Sequence, residues 1–151
     1  MTMLFMAAIM AFLHHLAAFT VVSTLAVEVA TFKPPLTAVQ ARRLQITDSI
    51  FGISAGLLLV IGLGRVFSFE KGAAYYFHNP FFLTKFGLFI VAALISIYPT
   101  RLFLSWSKDI KAGIAPTIDP ARVRTARMCM MWELTAILGI LFCAPMMARG
   151  L

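Results

Sequence analysis

Two adjacent histidines, His14 and His15, stand in a stretch that carries no charge from Met1 to Val27. Imidazole is the commonest metal ligand and a standard axial ligand of haem iron. Burying it in hydrocarbon is costly, which makes an intramembrane histidine a candidate for function. Glu133 poses the same question with the opposite chemistry: it follows Trp132 inside the last apolar segment, and an unpaired carboxylate at bilayer depth has no cheap structural use. Lys85 lies about one and a half turns inside an apolar segment. It either snorkels to the surface or pairs with a carboxylate, a substrate or a haem propionate. His78 is a possible second ligand or a headgroup-level proton carrier, or simply a wet interfacial histidine. Arg65, at the exit of its segment, is a further cation within reach of a polar cofactor.

The elements that position these residues follow from composition. The chain is 61% hydrophobic and 13% charged, whereas soluble domains run at roughly 45–50% apolar and about 25% charged. Composition therefore indicates an integral membrane protein, and 151 residues give one transmembrane domain, 1–151. The net charge of +7 lies between apolar runs, as topology signal and headgroup contact, so a nucleic-acid surface is excluded. No basic n-region precedes the first apolar run, which reads as a retained helix and not a cleaved signal peptide. Cys129 and Cys143 are 14 residues apart on one segment, about 21 Å of helix rise, too far to pair.

Four helices are expected, at about 3–31, 37–65, 80–106 and 120–147. The first is rich in alanine and other small residues, which permit close helix approach in a bilayer. His14 and Glu28 share one stripe of it with Ala7, Ala11, Ala18, Val21 and Leu25, while His15 points about 100° away. Lys33-Pro34-Pro35 ends that helix, and Thr37 to Gln40 reads as a capping box for the next. Gly52 to Gly56 matches the small-xxx-small packing pattern. Residues 66–79 read as a loop with paired tyrosines for the interfacial belt. Asn79-Pro80 and Asp119-Pro120 each place an N-cap before a proline at the first helical position. Pro99 is expected to bend or end the third helix.

The loops after the first and third helices hold Lys33, Arg42, Arg43, Arg101, Lys108, Lys111, Arg122, Arg124 and Arg127, nine of the 13 basic residues. The positive-inside rule puts both loops in the cytoplasm and both termini outside, in a multi-pass protein of a bacterial inner membrane. On that topology Glu28, Asp48 and Arg101 lie toward the cytoplasm, and Arg65 and Lys85 toward the outer leaflet.

A histidine in the first helix, Arg42-Arg43-Leu44 before the second, Lys85 early in the third and Glu133 in the fourth together resemble the haem-dependent membrane protoporphyrinogen oxidases of bacteria and the related copper-resistance membrane domains. That resemblance implies a b-type haem held by His14 or His15, with Lys85 and Glu133 in catalytic places. The sequence departs from the oxidases at Leu83, where they carry a histidine, and at Trp132, where they carry an asparagine. The runs Leu13 to Phe19 and Phe69 to Tyr76 are also similar to a bacterial family of small four-helix integral membrane proteins, a likeness that implies a fold and no chemistry.

Two functional classes follow. One is a redox protein binding haem b through His14 or His15, with His78 or a methionine as a second ligand and Arg65 nearby. The other is a non-enzymatic accessory or assembly subunit of a larger membrane complex, or a homo-oligomer, in contact with the lipid bilayer. A proton pathway through Glu28, His14 and Glu133 ranks behind both, because polar residues are few and no broken-helix pair is visible.

Overall fold

The computed structural model describes residues 2–69 and 73–149. All regular structure in it is helical: α1 Thr2–Thr31, α2 Ala38–Gly64, α3 Ala73–Phe77, α4 Pro80–Ser105, α5 Ser107–Lys111 and α6 Pro120–Ala148. Four of these stretches are long and apolar enough to cross a membrane: Thr2–Thr31, Ala38–Ser68, Pro80–Lys111 and Pro120–Met147. Their outward faces are apolar, as Phe12, Phe19, Ile53, Val60, Leu94 and Phe142 illustrate. Exposed hydrophobic side chains on every span are what a lipid-facing bundle requires.

The helix starts are fixed by the expected caps. Gln40 N–H donates to Thr37 Oγ1 at 3.2 Å, and Thr37 N–H donates to Gln40 Oε1 at 2.9 Å, so the capping box is closed in both directions. Phe82 N–H donates to Asn79 Oδ1 at 3.1 Å, and Ala121 N–H donates to Asp119 Oδ1 at 3.0 Å. Each such bond satisfies one of the four N–H groups that a helix start leaves open.

One expectation needs correction. The stretch 66–79 is not a loop throughout: Arg65–Phe69 carries α2 onward as a π-helical turn, and Ala73–Phe77 forms a short helix. Glu70, Lys71 and Gly72 lie outside the described residues. The aromatic and alanine content that suggested an interfacial belt also has no helix breaker between Ala73 and Phe77. Of the two alternatives at Pro99, ending the helix is excluded: the helix runs on to Ser105, close to the expected bound, with Pro99 buried inside it. The break is at Trp106. There the C=O of Phe103, which takes the Trp106 N–H at 3.3 Å, also accepts from Gln45 Nε2 at 2.6 Å, and the same amide donates to Ser107 Oγ at 3.1 Å. A side chain of α2 thus caps the joint between α4 and α5.

Helix α1 packs chiefly on α2 and α4 on α6, and the two pairs meet along narrower seams. Glycines set the closeness within each pair. A Cβ at Gly139 would come 2.9 Å from Leu88 Cδ1, and one at Gly62 would come 3.3 Å from His14 Cε1. Gly139→Val therefore overpacks the α4–α6 seam, with an expected loss of about 1–3 kcal/mol, read as a lower midpoint in detergent unfolding. Gly139→Ala is the milder control, since Leu88 can rotate away.

The core lies toward the end of the bundle where α1 meets α2 and α4 meets α5. Phe32, Phe103 and Trp106 form its aromatic layer, with ring centroids 5.5 Å (Phe32–Phe103), 6.3 Å (Phe32–Trp106) and 5.2 Å (Phe103–Trp106) apart. A smaller cluster of Val66, Tyr76 and Phe82 closes the opposite end.

Candidate site: a buried carboxylate cluster

Three helices carry the same pattern. On α1 the buried face reads Val21, Leu25, Glu28 and continues to Phe32 just past its end; on α2 it reads Ala41, Leu44, Asp48, Phe51; on α6 it reads Ala126, Met130, Glu133, Ile137. Each is a stripe at helical spacing with one acid set among apolar residues. Once the stripes face the core, the acids must follow. Glu28 keeps 2% of its surface, Asp48 6% and Glu133 1%.

The three carboxyl groups converge closely enough to act on one another electrostatically: Glu28 feels Asp48 and Glu133, and Glu133 feels Asp48. Helix α4 contributes Thr100, whose hydroxyl donates to Asp48 Oδ1 at 2.8 Å. All four long helices therefore reach the cluster. Asp48 has this hydrogen bond, but Glu28 Oε1 and Glu133 Oε1 are buried and have no hydrogen-bond partner. Buried polar atoms are nearly always paired, so two orphaned acid oxygens in one small cluster require a reason.

The surroundings fix where the cluster can be reached. Phe32 lies one turn beyond Glu28 and Phe103 one turn beyond Thr100, so the aromatic layer covers its loop-one side. Arg43 stands five residues before Asp48, and Arg127 six before Glu133. At 1.5 Å per residue the acids lie about 8–9 Å inside these basic positions. Away from the aromatic layer, Glu133 borders a cavity of about 230 Å³. Phe51, Gly52, Ala55, Gly56 and Leu59 of α2 form one wall, and Phe89, Ala92, Ala93 and Ser96 of α4 the other. Val21, Ile137 and Ile140 complete it.

The other residues singled out from sequence lie elsewhere. His14 is half-buried on the Glu28 stripe, against Gly62, but 14 residues along α1, about 21 Å of rise from the acids. It is not part of the cluster. His15 is exposed, its ring 6.2 Å from that of His14 and perpendicular to it. His15 Nδ1–H donates to Ala11 O at 2.6 Å. His78 is exposed and similarly bonded, Nδ1 to Ala74 O at 2.7 Å. Lys85 sits with its Nζ 5.8 Å from the Phe82 ring centroid, 15 residues from Thr100 along α4, about 22 Å away. Lys85 and Glu133, both placed in catalytic roles from sequence, are thus at different levels of the bundle. Arg65 begins the π-helical turn after α2, far along that helix from Asp48. Trp132, adjacent to Glu133, faces outward. Among the described residues, no group of three or more His, Cys, Asp or Glu side chains is arranged to hold a metal ion.

Asp48 and Thr100 are the members that sequence reasoning missed. Asp48 had a legible signal, since it interrupts the apolar stripe of Ala41, Leu44 and Phe51. Thr100 had none, because its role depends on α4 facing α2.

A family model matches residues 6–151 of this four-span chain. The chain belongs to the DUF2214 family of predicted membrane proteins. No curated protein and no solved structure matches it. The match takes in all three acids, the first span from Met6 onward and the other three spans in full, so in this DUF2214 member the carboxylate cluster lies wholly within the family region.

Proposed function

We propose that this DUF2214 protein is a multi-pass membrane protein that binds and exchanges protons at Glu28, Asp48 and Glu133. The observation that carries this reading is the convergence of three carboxyl groups from three helices, two of them with orphaned oxygens. Three negative charges at close quarters in a low-dielectric interior repel strongly, and the group lowers that cost by sharing protons. A protonated acid also becomes a donor, which two unpaired acceptor oxygens can use. The charge distribution supports a bacterial inner-membrane protein with loops one and three in the cytoplasm, which sets the cluster toward the cytoplasmic side.

Infrared spectra of the protein in nanodiscs, titrated from acid to alkaline pH, test this. A carboxylic-acid carbonyl band is expected to persist at neutral pH and to shrink in Glu28→Gln and in Glu133→Gln. A wild-type protein with every carboxyl ionised at neutral pH would overturn it.

A redox role with b-type haem is a second reading, favoured by the way His15 is held, an arrangement His78 shares. The His15 Nδ1–H is committed to Ala11 O, which leaves Nε2 as the nitrogen for a metal, the usual arrangement of a ligating imidazole. No histidine lines the cavity beside Glu133. A haem on His15 would sit on the outer face of α1, against a second copy or a partner subunit. The reading expects a Soret band from the purified protein that is lost in His15→Ala; a colourless preparation from haem-replete cells would remove it.

A further inference from the structure

The cavity beside Glu133 has an unusual outlet. Gly52, Gly56 and Ala93, from its two walls, are exposed on the bundle surface between α2 and α4. Nothing lies within 4 Å of a Cβ added at Gly52 or at Gly56. Along α6 the cavity runs from Glu133 to Ile140, seven residues, about 10 Å. It is therefore a slot along the membrane normal, open sideways to lipid, apolar for most of its length, with one acid at its end. That acid is 99% buried and its Oε1 has no hydrogen-bond partner. The aromatic layer of Phe32, Phe103 and Trp106 covers the cluster on the far side, so the slot is the approach to Glu133.

We propose that this slot binds a lipophilic monovalent cation, its apolar body between α2 and α4 and its charge on the Glu133 carboxylate. The inference rests on the proton-binding reading of the cluster and names what exchanges with the proton. Charge complementarity selects the ligand. The groups that act on Glu133 and its neighbours are acidic, and burying an uncompensated carboxylate costs far more than burying a paired one. An anion would meet three acids, and a small hydrated cation would have to shed its water in an apolar slot that offers few polar atoms. A cation with an apolar body meets neither cost. The exchange balances: the carboxylic acid of Glu133 releases one proton, and the resulting carboxylate pairs with one cation, leaving the charge of the site unchanged.

The test uses the full chain in nanodiscs, with n-octyltrimethylammonium as probe and empty nanodiscs as blank. This probe carries a fixed charge and has no proton of its own, and its chain is about as long as the slot. Binding is measured by equilibrium dialysis, and proton release by an indicator dye in weak buffer. Saturable binding with close to one proton released per cation is expected. Glu133→Gln should weaken binding about tenfold or more and abolish proton release. Gly56→Leu should block binding while leaving the infrared carboxylic-acid band in place, because its side chain enters open space. Equal affinity in the wild type and in Glu133→Gln would overturn the proposal, as would Glu133-dependent binding of uncharged n-octanol with the same strength. If the carboxylic-acid band is present and the cation does not bind, this inference fails and the proton reading stands. If the band is absent, both fail.

Discussion

Glu133→Met is expected to make the protein more stable while removing that residue's chemistry. Glu133 sits between Met130 and Ile137 on the buried stripe of α6, and its Oε1 has no partner. An unsatisfied buried polar group costs about 1–3 kcal/mol, and methionine has nearly the same length and fills the same space with adaptable apolar atoms. The expected gain is therefore of that order, about 1–3 kcal/mol, seen as a higher midpoint when the detergent-solubilised protein is unfolded. The share of proton exchange that Glu133 carries should be lost in the same variant, and the carboxylic-acid band should shrink. A residue whose removal stabilises the fold is retained for a purpose other than stability. A stability loss of similar size would mean that Glu133 holds the helices together, and the cluster would then be architectural. The double substitution of Glu28 and Glu133 should give less than the sum of the single effects, because the two acids share one electrostatic environment.

The opposite sign is expected at the aromatic layer. Phe103 is fully buried and packs edge-on against Phe32 and at a tilt against Trp106. Phe103→Ala should cost about 3–5 kcal/mol, because neither α1 nor the α4–α5 joint can collapse into the space. In a bilayer the apolar transfer part of that cost is smaller, since lipid is also apolar, but the lost packing contacts remain. The loss is read as a drop in the unfolding midpoint and as faster exchange of the amides around Glu28. It should also open a second route to the acids, so that the carboxylic-acid band titrates faster in Phe103→Ala than in the wild type. Phe103→Leu, which keeps most of the volume, should restore both. If Phe103→Ala unfolds like the wild type, the layer is not the support of this end of the bundle.

Much of the architecture could be read directly from the residues. An apolar majority, four long uncharged runs and caps at Thr37, Asn79 and Asp119 specify a four-span helical protein, because a bilayer leaves every backbone polar group to be satisfied within the chain. Pro99 left open whether the third helix bends or ends there; the helix continues, because a proline costs only one backbone bond and the surrounding helices hold the chain in line. Local signals misled in one place. The segment 66–79 looked irregular, yet its described residues are mostly helical, since nothing in Ala73–Phe77 opposes a helix.

The candidate chemistry divides in the same way. From the sequence it follows that Glu28 and Glu133 lie on apolar stripes and must be buried, and Asp48 is marked by the same interruption of the pattern. Those are consequences of helical period, which is local. Which buried groups meet is a matter of rotation and depth, and only packing decides those. Tertiary structure put the three acids and Thr100 at one level, left His14 about 21 Å of helix away, turned His15 outward, and opened a glycine-lined slot onto Glu133. The histidines are the more conspicuous residues in the chain, but the acids are the ones that the fold gathers.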